Sequence, residues 1–241
     1  MNATQGRIVA GGNGPGNRLD QLNGPTDVII DRQDDSLIIA DSRNRRVMRW
    51  SREKSERGQV SIANIGCYSL RMHEDGFLYI SDPEKNKVRR WKKGVTYTIA
   101  VAGADERNNQ LNYPTSLYVD KDQTLYVSDS NNHRVMKWVK DAEEGVVVAG
   151  GNGQGNQMTQ LSYPGGIMVD RSGYIYVADA GNDRVMRWLE GENEGTIVIG
   201  GNSGGAQANQ LKNPAVLVLD GKGNLYVADR SNHRIKKFDI N

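Results

Sequence analysis

The chain has 241 residues, enough for one sizeable domain. Hydrophobic residues make up 37% and charged residues 25%, which supports a buried core and excludes wholesale disorder. A net charge of +2 lacks the basic excess of a dedicated nucleic-acid binder, no apolar run could span a bilayer, and one cysteine, Cys67, excludes an internal disulfide.

Met1 to Gly6 hold no signal-peptide core, which favours a cytoplasmic setting. The first element is RIVAGGN at Arg7–Asn13. It matches later segments, VVVAGGN at 146–152 and TIVIGGN at 196–202. Five repeats follow, at 22–50, 67–91, 111–138, 161–188 and 211–238. The second is degenerate and lacks the Leu-x-x-Pro opening of the others.

Each repeat predicts strands in the order a, b, c, d. In the first, strand a is Val28-Ile29-Ile30, strand b runs from Leu37 to Ala40 and strand c from Arg46 to Trp50. Strand d is clear in later repeats, as Val146-Val147-Val148 and Thr196-Ile197-Val198. Polar turns rich in Asp, Gly and Asn separate them. The landmarks Asp41, Asp82, Asp129, Asp179 and Asp229 recur about every 40 to 50 residues, the period of a four-stranded propeller blade. The fold expected is all-β: a single five-bladed β-propeller over 1–241. Its blades fall at about 22–66, 67–110, 111–160, 161–210 and 211–241. The last repeat stops after strand c, so residues 6–13 are expected to supply its fourth strand and close the ring.

YVSDSNNHRVMKW at Tyr126–Trp138 and YVADRSNHRIKKF at Tyr226–Phe238 resemble the NHL-repeat family. ADSRNRRVMRW and ADAGNDRVMRW keep the Asn and Arg of that pattern without its His. The resemblance covers nearly the whole chain. It implies a propeller whose relatives bind proteins or RNA, with lyases and sensors among them, and it does not choose between these roles.

Positions repeated in every blade read as architecture, and positions that vary are free for function. Trp50, Trp91, Trp138, Trp188 and Phe238 share one position and are expected to pack between blades. So are Val28 and Ile30 and their counterparts. Asp41/Arg46, Asp82/Lys87, Asp129/Arg134, Asp179/Arg184 and Asp229/Arg234 read as structural ion pairs or loop caps. No cluster has metal-ligand spacing, so no metal, cofactor or catalytic residue is expected.

Two places remain for recognition. The varying residues of the innermost strand, Asp27, Ser69, Arg71, Ser116 and Tyr118, are expected to line the channel mouth as a ligand site. The face carrying the d–a and b–c loops presents Tyr113, Tyr163, Asn131, His133, His233 and Arg45. The resulting expectation is a non-catalytic, monomeric scaffold for a protein or peptide partner. RNA held by basic loop residues is the alternative; a glycan or a metal-dependent lyase or lactonase reaction is a further one. The last ranks lowest because the channel set offers only Asp27 as a ligand.

Overall fold

The computed structural model describes residues 7–52, 57–103 and 110–240. They form five antiparallel meanders arranged as propeller blades. Blade one contains β1 (Pro25–Asp31), β2 (Ser36–Asp41), β3 (Arg46–Ser51) and β4 (Gln59–Ala63). Blade two contains β5 (Leu70–Met72), β6 (Phe77–Asp82), β7 (Lys87–Lys92) and β8 (Ile99–Ala102). Blade three contains β9 (Pro114–Val119), β10 (Leu125–Asp129), β11 (Arg134–Trp138) and β12 (Val146–Gly150). Blade four contains β13 (Pro164–Val169), β14 (Ile175–Asp179), β15 (Arg184–Trp188) and β16 (Thr196–Gly200). Blade five contains β17 (Pro214–Leu219), β18 (Asn224–Asp229) and β19 (Arg234–Asp239). No helix among the described residues is long and apolar enough to cross a membrane.

The core lies between blades. Val47 and Ala40 of blade one pack with Leu70, Leu78 and Trp91 of blade two. The same contact recurs from Val88 to Leu117 and Trp138, from Val135 to Ile167 and Trp188, and from Val185 to Leu217 and Leu225. Trp91, Trp138 and Trp188 are buried at these joints, and Trp50 is buried against Ile39 and Met48 of its own blade. Each large apolar side chain so buried stabilises the fold by about 1.5–3 kcal/mol.

The join between blades five and one differs. Val28 is 55% exposed where its counterparts Leu70 and Leu117 are 0% exposed. Ile235 is 68% exposed where Val88 and Val135 are 0% exposed. The expected packing of Val28 and Ile30 between blades is therefore corrected. Among the described residues blade five keeps three strands, and Arg7–Asn13 forms no strand with β19 (position 6 lies outside those described). Ala10 and Leu22 instead rest against Ile39, Met48 and Trp50 of blade one. Ala149 and Leu161 meet Val177, Met186 and Trp188 in the same way. The opening segment thus lies against blade one as an outer strand would, without joining blade five.

The landmark aspartates are structural. Asp129 Oδ2 receives Arg134 Nε at 2.7 Å and Asn132 Nδ2 at 2.9 Å, while Oδ1 receives the Asn112 N–H at 2.6 Å. Arg46, Arg184 and Arg234 make the same pair and donate onward to carbonyls of the incoming d–a loop. Removing one member of such a buried pair costs about 3–5 kcal/mol. Blade two departs from the expected pairing: Asp82 binds Arg89 Nε at 2.9 Å rather than Lys87. Residues two apart on a strand share a face, so Arg89 reaches the carboxylate that Lys87 was expected to hold.

Candidate functional site

Strand a starts at the loop face, so its first varying residues gather at the channel mouth. Asp27 Oδ2 accepts from Ser69 Oγ at 3.1 Å, the Leu70 N–H at 2.8 Å and Arg71 Nη1 at 3.3 Å. Its Oδ1 accepts the Val28 N–H at 2.9 Å. Three of the five expected channel residues are thus one cluster joining blades one and two. Ser116 stands apart, its Oγ accepting the Ile167 N–H at 3.4 Å. Tyr118 lies nearer the opposite end of the channel, edge-on to Tyr126 with ring centroids 6.0 Å apart. There it lines a cavity of about 1110 Å³ with Tyr174, Tyr176, Asp170 and Arg187.

The loop face is set by backbone geometry. Each b–c loop ends in a left-handed residue: Arg45, Asn86, His133, Asp183 and His233 have φ between 51° and 54°. Three of their side chains accept a backbone N–H of the next blade. Asn86 Oδ1 accepts the Tyr113 N–H at 2.9 Å, His133 Nδ1 accepts the Tyr163 N–H at 3.1 Å, and Asp183 Oδ1 accepts the Asn213 N–H at 2.7 Å. Burial lowers the His133 pKa, outweighing Asp179 and Asp129, in keeping with a neutral ring that accepts at Nδ1. His133 is therefore a joint between blades, and its ring meets Tyr163 edge-on at 4.7 Å. Arg45 pairs with Glu84 at 3.1 Å. Asn131 bonds Asn112, and His233 is exposed on the last blade.

Beside the exposed Asn131, His233 and Arg45, two aromatic rings point outward on this face. Tyr113 is 46% and Tyr163 48% exposed, and both adopt left-handed backbone with φ of 56° and 48°. Blades one and five place Gly24 and Asn213 at the equivalent position, also left-handed. The rings belong to two adjacent blades, which the repeat itself could have flagged.

Metal-dependent hydrolysis needs several carboxylates or imidazoles converging on one point. The Asp27 carboxylate already receives four donors, and no group of three His, Cys, Asp or Glu able to hold an ion occurs among the described residues. These residues do not fit a resident metal ion. Cys67 is buried, and that burial pushes its thiol up to about 12, which removes it as a nucleophile at neutral pH.

Together the meanders and their axial channel define a propeller of repeat-built blades. The SMP-30/Gluconolactonase/LRE-like region model matches residues 18–202, and the chain belongs to that family. The NHL repeat model matches residues 211–238, in agreement with the motif resemblance. No curated protein matches the sequence. Among solved structures, an auxiliary nutrient binding protein from Bacteroides thetaiotaomicron aligns with a TM-score of 0.72 at 16% identity. The alignment covers 90% of this chain and 59% of that one, so the chain spans less than two thirds of its length. A gluconolactonase from Xanthomonas campestris gives a TM-score of 0.68 at 15% identity, covering 87% of this chain and 71% of that one. A chain of a nidogen/laminin complex gives 0.68 at 17%, covering 90% and 76%. At these identities the likeness establishes the fold. The family match overturns the expectation that the chain is no enzyme, because its description names gluconolactonases.

Proposed function

We propose that the loop face and channel mouth receive a protein or peptide partner. The observation carrying this reading is the pair Tyr113 and Tyr163: half-exposed rings on adjacent blades, each backbone N–H tied to the preceding blade. Tyrosine gives a large contact area for little lost side-chain entropy, and a fixed backbone lowers the cost of ordering further. The Asp27–Arg71 pair adds one charge of each sign at the rim of the same face. The likeness to a chain of a nidogen/laminin complex supports the reading. Recognition here is compatible with substrate turnover elsewhere in the molecule.

The test replaces both rings by the residue that blade five carries. A Tyr113→Asn, Tyr163→Asn variant keeps a residue tolerant of left-handed backbone and both N–H donors, so its unfolding temperature is expected to hold. Loss of two aromatic anchors is expected to weaken a captured partner by about 100-fold, measured by surface plasmon resonance. A variant that captures the same proteins with unchanged affinity removes this face from consideration.

A further inference from the structure

Blades one to four each carry a fourth strand, whereas the outer edge of β19 has no strand beside it among the described residues. An open edge of this kind is a template for one more strand. The complete blades show what that strand must present. Blade three pairs Arg134, Val135, Met136 and Lys137 antiparallel with Gly150, Ala149, Val147 and Val146. Blade four repeats the pairing with Gly200, Ile199, Ile197 and Thr196. Arg234, Ile235, Lys236 and Lys237 hold the same places on β19.

Ahead of each fourth strand comes an acidic turn that ends in glycine, EEG at 143–145 and NEG at 193–195. The glycine has a steric reason: a Cβ at Gly145 or Gly195 would come within 2.4 Å of the Trp138 or Trp188 ring. Phe238 takes the tryptophan's place in blade five and is half-buried.

Charge separates blade five from its neighbours. Residues 211–241 hold six Lys or Arg against three Asp, while 111–160 hold four against six acidic residues and 161–210 hold three against six. On β19, Arg234 is taken by Asp229, and Lys236 donates to the Gln207 and Gln210 carbonyls. Lys237 is exposed and pairs with Asp239 of its own strand at 3.2 Å. Its counterparts reach acids of the following blade: Arg90 Nη1 lies 4.0 Å from Asp141, and Lys137 Nζ lies 2.6 Å from Glu190. The basic edge and the exposed Ile235 beside it therefore suit an acidic, aliphatic strand. The chain's own RIVAGGN at 7–13 is aliphatic but opens on Arg7, which would stand where Val146 stands in blade three, opposite Lys237. Like charges directly opposite destabilise a strand pair, and Ala10 rests instead on blade one.

We propose that β19 receives an extended segment of a partner protein as its fourth strand, a segment that opens on acidic residues and a glycine and continues with aliphatic ones.

The test uses the whole chain and a synthetic peptide with the sequence of residues 143–152, EEGVVVAGGN. Calorimetry is expected to show saturable binding, and hydrogen exchange is expected to show new protection along Arg234–Asp239. Lys237→Glu changes an exposed side chain, so its unfolding temperature is expected to hold while affinity falls about tenfold. A KKGVVVAGGN peptide is expected to reverse that preference. The peptide TQGRIVAGGN, residues 4–13, is expected to bind more weakly than EEGVVVAGGN. The Tyr113→Asn, Tyr163→Asn variant is expected to bind EEGVVVAGGN normally, which separates this edge from the loop face. No new protection along β19, or an affinity untouched by Lys237→Glu, overturns the proposal. Equal or tighter binding of TQGRIVAGGN also overturns it and assigns the edge to a second copy of the chain.

Discussion

Histidine 73 shows how one residue redirects a repeated turn. In the other blades an aspartate closes the a–b turn; Asp120 Oδ1 and Asp170 Oδ1 each accept two backbone N–H groups of their own turns. His73 is buried and instead joins blades, with Nδ1 against Asp75 and Nε2 at 3.2 Å from the Lys121 carbonyl. Burial opposes its protonation, but the hydrogen bonds to Asp75 and Lys121 win, and its pKa is raised. A raised folded value means the unfolded chain gives up this proton first as pH climbs. The contribution of His73 to stability is therefore full below about pH 6.5, the unfolded value, and is lost as pH rises through the folded one. Urea unfolding between pH 5.5 and 8.5 is expected to show that loss in the wild type and a flatter profile in His73→Asp, which restores the common turn. Parallel profiles for the two proteins would assign the titration to another group.

At the level of the strand, identical sequence roles acquire different energies from their neighbours. Val135 on β11 and Ile235 on β19 occupy the same place in the NHL-like motif, yet the first is buried and the second is among the most exposed apolar residues described. Threonine keeps the branched shape and the strand preference of both. Val135→Thr buries a hydroxyl and is expected to cost about 2 kcal/mol. Ile235→Thr leaves its hydroxyl in water and is expected to stay within about 0.5 kcal/mol. Equilibrium urea denaturation of the two variants measures the difference; equal losses would mean that β19 is covered in solution.

For the whole molecule, the open join between blades five and one is the dominant feature. Val28, Ile30, Val216, Val218 and Ile235 are all exposed, and the outer edge of β19 has no strand beside it among the described residues. Apolar patches beside an unpaired edge promote association. A Val28→Thr, Ile235→Thr variant is expected to raise the solubility limit and reduce binding of a hydrophobic dye, with the unfolding temperature unchanged. A marked drop in unfolding temperature would show that the two blades pack in solution.

Most of the architecture was readable as pattern. Alternating apolar residues, turn-forming Asp and Gly, and four copies of an Asp–Asn–Arg motif with a divergent fifth in blade two specify strands and blades, because the blades solve the same local problem with largely the same residues. The site was readable only in part. Asp27, Ser69 and Arg71 meet as their strand positions suggest, whereas His133 is spent on a joint and Tyr118 turns toward the far end of the channel. Sequence alone determined what every blade has in common, since repetition exposes local rules. Tertiary structure decided what the blades do not share: whether the ends of the arc meet, and that Val28 and Ile235 stay exposed there while their counterparts are buried. Those outcomes depend on how rigid units sit against one another, and no periodicity within a unit encodes that placement.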